Sequence, residues 1–527
     1  MDFDNILEEV GEFGRYQIIT YTLVCLPVLF AAANSLTYVF TAGIPNYRCF
    51  VNGCDNKFNS TYNADWLHFA IPDRGSDSTS YQPTLCTRYV KTFASSNSCA
   101  ADAFTNEIEN CNEWVFDKER TIVNDWSITC TENQWKLSFI GSCHFAGIIV
   151  GSALSGILAD YFGRKNVFVY CTVFMGITGV MQIFSPEYIT FASLTFLNAI
   201  GTAGVFPLAF TLGVEMVGKK KREYTGIILN YFYAIGEAFV GLIAWLTLDW
   251  TYLQLSASAP AILFIVYYWV IPESVRWLIA KEKNDEAKKI VYKVAKTNRT
   301  SLSPVLLATF KNNSTSNNDN YSSNEVDILP VVKQMFKSRK LVLRFIIVFF
   351  IWGINAFVYY GLSLNSTSLG GNKYLNFSLV CLVEIPGYTI AWISMKKIGR
   401  RSALVASLLL CGVTCIITTV IPNAYWAVLI LFLIGKFGVT AAFGVVYVHT
   451  AELLPTVIRS GGVGASSTMA RVGSLLAPYV PLLGVYVDFL PMLLFGCLAV
   501  FAGLLALKLP ETLGNKLPET VEEAKSL

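Results

Sequence analysis

The stretch Gly156-Ile-Leu-Ala-Asp160-Tyr-Phe-Gly163-Arg164-Lys165 closes one long apolar run, makes a short basic turn and leads into another apolar run at Asn166. It returns in thinner form as Lys396-Lys397-Ile-Gly399-Arg400-Arg401, again between apolar runs. Two more pairs keep the same distance. Glu215, six residues and Arg222 are answered by Glu452, six residues and Arg459, and Pro272-Glu273-Ser274 is answered by Pro510-Glu511-Thr512. The offsets are 236, 237 and 238 residues. Three unrelated pairs at nearly one offset predict a chain of two similar halves.

Those halves belong in a bilayer. Charged residues make up 15% of the 527 and hydrophobic ones 54%, whereas a soluble chain carries about 25% charged residues. A run of about 20 apolar residues crosses the hydrocarbon core. Twelve such windows occur, near 17–42, 136–159, 167–185, 188–213, 224–247, 254–271, 343–363, 375–394, 402–421, 424–448, 461–485 and 489–508. The prediction is an all-α membrane protein of twelve transmembrane helices in two six-helix bundles. Its segments are a tail at 1–15, a first half at 16–274, a linker at 275–340, a second half at 341–510 and a tail at 511–527. A net charge of +3 is too small to argue for a nucleic-acid partner.

Basic residues set the orientation. Arg164 and Lys165 follow window 2, Lys219–Arg222 window 4 and Lys396–Arg401 window 8, and the linker is also basic. All fall on one side, expected to be the cytoplasm, together with both termini. Met1–Arg15 is acidic and lacks a cleavage site, so the first window is expected to remain as an anchor. The segment 43–134 then lies outside, with six of the 13 cysteines: Cys49, Cys54, Cys86, Cys99, Cys111 and Cys130. On an oxidising face these read as three disulfides, with 15 pairings open. Asn59-Ser-Thr61 is an N-glycosylation acceptor. The linker reads as one or two short helices followed by an Asn/Ser-rich tether at Asn312–Asn324.

The basic turns have a second use beside topology. Arg164 and Arg400 can pair with carboxylates on other helices of their own half, such as Glu215 and Glu273, forming a latch that holds in one state and breaks in another. Asp160, Gly163, Glu215, Arg222, Glu273, Arg276, Gly399, Glu452 and Arg459 belong with it as gating residues.

The repeated Gly-x-x-x-Asp-x-x-Gly-Arg-Lys turn resembles the major facilitator superfamily. The six-cysteine loop, Glu215…Arg222, Pro272-Glu273-Ser274-Val275-Arg276-Trp277-Leu278, Glu452-Leu-Leu-Pro455…Arg459 and the opening Glu9-Val-Gly-Glu-Phe-Gly14 narrow the resemblance to its organic ion transporter branch. It covers nearly the whole chain outside the linker. Tyr161 stands where the superfamily has a basic residue, and Val275 where the branch has proline. The resemblance implies a plasma-membrane carrier working by alternating access, without cofactor, metal or catalysis.

Charges inside the windows mark the substrate site, because they are costly in lipid. They are Glu237, Glu384, Lys436 and Arg471, with His144 and His449. By resemblance, cation carriers of the branch keep the glutamate of window 8 with an acid matching Arg471, and anion carriers have an arginine there. Carnitine and zwitterion carriers have both, as here, and Gly435-Lys436-Phe-Gly-Val-Thr-Ala-Ala-Phe443 also resembles them. A guanidinium grips a carboxylate through two hydrogen bonds, while a glutamate and aromatic faces hold an ammonium. Arg471 is thus expected to bind a carboxylate and Glu384 an ammonium, with Trp352, Tyr359 and Tyr447 as walls and Tyr233, Tyr360 and Tyr388 as further candidates. Glu237 is either an additional cation or proton site or the partner of Lys436 or Arg471. His449 is either a pH-sensitive binding group or structural.

The expected substrate is a small organic cation or a carnitine-like zwitterion. The alternatives are a plain cation carrier, in which Arg471 pairs internally with Glu237 or Glu384, and an organic anion carrier using Arg471. Carnitine carriers that use sodium have an asparagine–tyrosine pair where this chain has Val205-Phe206. An apolar pair offers no ligand to sodium, so facilitated diffusion or exchange is expected instead. A channel would need rings of like charge or carbonyls, and a membrane enzyme would need a cluster of His, Asp or Cys at one face. Pro-Glu-Ser-Val-Arg also resembles sugar carriers, which lack the cysteine-rich loop. A sensor that binds without transporting is the remaining alternative.

Overall fold

The protein is described from a computed structural model, which covers residues 7, 11–57, 60–74, 81–92, 99–218, 221–300, 328–421 and 424–526. The acceptor Asn59, the tether at 312–324, Lys219, Lys220 and most of the acidic 1–10 segment lie outside the described residues.

Eleven helices among the described residues are long and apolar enough to cross a membrane. They are Arg15–Thr41, Thr131–Phe162, Arg164–Ile183, Tyr188–Met216, Arg222–Thr247, Trp250–Val270, Arg339–Ser368, Lys373–Lys397, Arg400–Val420, Tyr425–Leu453 and Thr456–Tyr486. Leu490–Ala506 is shorter and equally apolar. Numbered in order, these are spans 1–12, and each overlaps its window in the sequence. Span 8 is interrupted at Val383, between the segments Lys373–Leu382 and Glu384–Lys397. The cause is local: Pro386 has no N–H to give the Leu382 carbonyl.

Each half packs around its own core. Tyr21, Val24, Val28, Phe168, Met175 and Val205 centre the first, and Ile351, Leu404, Phe432, Val439 and Phe495 the second. Buried polar groups tie the helices together, as lipid-immersed bundles require. Asn34 donates to the Ala257 carbonyl at 2.9 Å and accepts from the Ser258 hydroxyl at 2.8 Å. A third cluster joins the halves at one end of the bundle, where Phe40, Ile140 and Phe145 meet Leu364 and Phe377.

That end carries the cysteine-rich domain. Two antiparallel pairs form it, β1 (Tyr47–Cys49) with β4 (Trp114–Phe116) and β2 (Thr87–Lys91) with β3 (Phe104–Asn110). The six cysteines form three disulfides, Cys49–Cys111, Cys54–Cys99 and Cys86–Cys130. Arg48 is buried at the centre, held by both oxygens of Asp55 at 2.7 Å and by the carbonyls of Cys49, Thr61 and Tyr62. We call this end the disulfide face and the opposite end, with the Arg164 and Arg400 turns, the basic face.

Short helices cover the basic face. Val275–Ala280 and Asn284–Asn298 lie under the first half, where Asn298 accepts from the Tyr16 amide at 3.0 Å and donates to Gln17 at 2.9 Å. Under the second half, Val521 and Ala524 of the tail helix Val521–Ser526 pack with Met335, Leu341, Leu454 and Ile458.

Candidate functional site

The break in span 8 sets Glu384 at the start of the second segment, inside the bundle and fully buried. Lys436 of span 10 reaches it, Nζ to Oε1 at 2.8 Å. The same ammonium donates to Ser363 Oγ at 2.7 Å and the Tyr359 carbonyl at 3.2 Å, and lies 3.4 Å from the centre of the Tyr359 ring. The Tyr359 hydroxyl donates to Glu384 Oε2 at 2.7 Å. Glu384 is therefore paired with Lys436 and Tyr359 in this structure. Spans 7, 8 and 10 pack within one half, so the lysine stem meets Glu384 first.

Glu237 comes from the other half. It is fully buried, and neither carboxylate oxygen has a hydrogen-bond partner among the described residues. It stands against Glu384 and within electrostatic reach of Lys436. Of the two alternatives left open, pairing with Lys436 or Arg471 is not realised. One ammonium thus lies near two carboxylates and pairs with Glu384.

Arg471 of span 11 is half-buried and has no hydrogen-bond or ion-pair partner among the described residues. It lies within electrostatic reach of the Tyr360 hydroxyl, as do Glu237, Glu384 and Tyr447. Tyr360 is the hub of the cluster. The sequence offers it, with Trp352 and Tyr359 of the same span, as a candidate aromatic for holding an ammonium.

The aromatic wall forms beside this hub. Trp352 is buried and donates its indole N–H to Thr450 Oγ1 at 2.9 Å. Its ring centre is 4.3 Å from that of Tyr447, which is 41% exposed, and Phe443 sits 5.4 Å from Tyr359 and 5.8 Å from Tyr447. Tyr388 lies within hydrogen-bond reach of Tyr359. Tyr233 faces Phe206 edge-on at 5.4 Å in the first half. Tyr38 was missed by the sequence reading; its buried hydroxyl has no hydrogen-bond partner among the described residues and lies near Glu237 and Tyr360.

His449 belongs elsewhere. Its Nδ1 is 3.4 Å from Thr512 Oγ1, just past span 12. One helical step separates it from Thr450, so Thr450 faces Trp352 while His449 faces the basic face.

On the basic face the two halves repeat one device. Gly163 and Gly399 have φ of +101° and +93°, a region that favours glycine. A Cβ on either would lie 2.3 Å from Glu273 Oε2 or 2.5 Å from Glu511 Oε2. Both carboxylates cap a helix start. Glu273 accepts from the amides of Lys165 and Ser274 at 3.0 and 2.9 Å. Glu511 accepts from those of Arg400, Arg401, Ser402, Thr512 and Leu513. Glu273 was expected to pair with a guanidinium; it binds main chain instead, because the glycine turn brings the amides closer than any side chain. Burial pushes Glu273 above the usual carboxylate range against its amide donors. Burial pushes Glu511 up too, but its backbone amide bonds outweigh this and leave it below that range.

The guanidinium pairs lie beside these caps. Arg164 meets Asp160 at 2.8 Å and Glu215 at 3.8 Å. Arg400 meets Glu452 at 3.0 Å. Arg222 opens span 5, Arg276 sits in the helix Val275–Ala280, and Arg459 donates to Thr456 at 3.3 Å. Each of these pairs stays within its half. Contacts between halves, which the sequence did not suggest, are Glu223 with Lys396 at 2.6 Å and with the Trp392 indole at 2.8 Å.

Spans 2 and 11 meet at the disulfide face, where Ser142 donates to the Leu475 carbonyl at 2.9 Å. Toward the basic face they part: at Gly156, Gly461 and Gly464 no atom lies within 4 Å of a Cβ position. Glu119 closes the opposite end by binding Lys373 and Tyr374. A cavity of about 350 Å³ lies beneath the loop domain, lined by Tyr38, Glu119, Gln134, Trp250 and Lys373 among others. It is a vestibule, separate from the charged cluster, with Tyr38 between them.

Comparison with known proteins agrees with this architecture. The family model for sugar (and other) transporters matches residues 85–524. An organic cation transporter protein of Drosophila melanogaster is 32% identical over 533 residues, covering 100% of this chain and 95% of its own. Organic cation/carnitine transporter 2 of Homo sapiens is 34% identical over 537 residues, covering 99% and 94%. The E. coli xylose transporter, solved in a partially occluded inward open conformation, superposes with a TM-score of 0.63 at 15% identity, covering 95% of this chain and 100% of that one. The chain is therefore a multi-pass membrane transporter and belongs to the organic cation/carnitine branch of the major facilitator superfamily.

Proposed function

We propose that the protein carries small organic cations or zwitterions, carnitine-like in joining an ammonium to a carboxylate, across the plasma membrane by alternating access. One observation carries this reading: Arg471 is an unpartnered guanidinium in the same cluster as an excess of buried carboxylate. The substrate carboxylate meets Arg471, and its ammonium sits toward Glu237 and Glu384 beside Trp352, Tyr359, Tyr388 and Tyr447. Tyr233 lines the first half. The basic face is cytoplasmic with both termini, the disulfide face is extracellular, and Asn59 is glycosylated. The Arg164 and Arg400 clusters latch the cytoplasmic ends as the halves rock. Val205 is buried and Phe206 packs on Tyr233, which supports transport without sodium.

Glu237 favours a second reading, a plain cation carrier, since its carboxylate is unpaired. Uptake of radiolabelled carnitine and of choline, with and without sodium, separates the two. Under the first reading Arg471→Ala lowers carnitine uptake about tenfold to a hundredfold, the worth of a lost charge-assisted pair, and leaves choline uptake low throughout. Good choline transport with Arg471→Ala tolerated establishes the second.

A further inference from the structure

Gln134 stands near the start of span 2, on the wall of the vestibule beneath the loop domain. It is 6% exposed, and its carbonyl oxygen Oε1 has no hydrogen-bond partner among the described residues. A buried amide oxygen without a donor is costly, which points to a ligand that brings one. The charged groups around it are already matched. Glu119 binds Lys373 and Tyr374, and Arg120 binds Asp249 at 3.4 Å and Asp125 at 3.0 Å. Of these, Glu119, Asp249, Arg120 and Lys373 line the cavity, and their charges cancel. Nothing on the wall therefore offsets the hydration that an ion would lose on entering. Much of the rest is apolar, with Leu137 and Leu253 from the first half and Leu364 and Tyr374 from the second. The floor is tight. A Cβ on Gly141 of span 2 would lie 2.7 Å from Pro478 and 3.0 Å from the Tyr38 ring. The cavity is thus separate from Glu237, Glu384, Lys436 and Arg471.

We propose that the vestibule is a second binding site, for an uncharged and largely apolar small molecule that donates one hydroxyl or amide hydrogen to Gln134. Its occupant slows transport without entering the cargo site. The volume of about 350 Å³ falls within the range of about 300–1,000 Å³ that small-molecule pockets span. Apolar walls supply the affinity, and the one bare acceptor supplies the orientation. Gln134, Leu137 and Leu253 belong to one half and Leu364 and Tyr374 to the other, so the occupant touches both where they meet. Parting the halves at the disulfide face draws the two walls away from each other. A molecule that binds one arrangement better than another shifts the balance toward it. Here it holds the disulfide face shut, and fewer carriers present the cargo site to that side. Cation and zwitterion cargoes are slowed alike.

Three uncharged probes of rising size, phenol, 2-naphthol and 4-phenylphenol, test this, with naphthalene as a match that lacks the donor. In the purified full-length protein, the best of the three should slow thiol modification of Ser138→Cys. That position is one helical turn from Gln134 on the same wall. Saturating carnitine or choline should leave the protection in place. In cells the same probe should lower the maximal rate of cargo uptake, with excess cargo unable to restore it. Gln134→Leu should keep basal uptake and weaken both effects about three- to tenfold, the worth of one neutral hydrogen bond. Thr367→Trp, which fills the cavity from a half-buried position, should remove them. Absence of protection by all three probes overturns the proposal. So does naphthalene acting as well as 2-naphthol, inhibition that survives both variants, or full recovery of uptake with excess cargo.

Discussion

Lys436 is the residue on which the charge balance of the bundle turns. It is buried against Glu384, with Glu237 uncompensated nearby. Removing one partner of such a pair costs about 3–5 kcal/mol. Lys436→Met should therefore lower the melting temperature sharply, and adding Glu384→Gln should recover part of the loss; thermal melts in detergent measure both. A different residue-scale test concerns glycine. Gly163→Ala should destabilise by about 1–3 kcal/mol, through its positive φ and the collision with Glu273. Gly156→Ala, in open helical space, should be neutral or slightly stabilising. Intramembrane charge made Glu237, Glu384, Lys436 and Arg471 visible in the sequence. Which of them pair was not visible, because that depends on how spans 7, 8 and 10 turn toward each other.

At the scale of the element, the two basic turns look alike in sequence and differ in chemistry. Glu511 is held below the ordinary carboxylate range and Glu273 above it. The signs follow from proton linkage. Glu511 adds stability that is present above its ordinary value and lost as pH falls through its depressed one. Glu273 binds its proton more tightly when folded, so it costs stability as pH rises from the ordinary range through its raised value. Glu511→Gln should thus destabilise clearly at neutral pH and hardly at all in strong acid, while Glu273→Gln should cost less at neutral pH. Melting curves of both variants across that interval check the contrast. The echo at offsets near 237 announced the turns themselves. That the glutamates cap main chain could not be read from spacing, since amides leave no mark in a sequence. Span 8 shows a similar limit: its apolar window was plain, but the break before Glu384 rests on one proline donor missing inside a packed bundle.

Across the whole molecule, the two halves touch at the disulfide face, while on the basic face spans 2 and 11 part and Glu223 still bridges spans 5 and 8. Glu119 of the loop domain binds Lys373 and Tyr374 of the second half, while its neighbour Arg120 binds Asp249 of the first at 3.4 Å. A partly buried pair of this kind is worth roughly 1 kcal/mol, so Glu119→Gln should shift the balance of states about fivefold toward opening on the disulfide face. Thiol labelling of single cysteines lining the vestibule would detect the change. Two-half architecture was legible from the repeat, and the loop's disulfides from its even cysteine count. The loop's grip on both halves was not, because Glu119 and Arg120 resemble any exposed charges in a linear reading. Their adjacency has a mechanical consequence. The loop's hold on the two six-helix bodies falls on adjacent residues, within the stretch that the Cys86–Cys130 disulfide encloses. The loop then acts as a strut whose stiffness enters the energy of every cycle, and an external reductant would alter turnover while leaving the affinity for the cargo as it was.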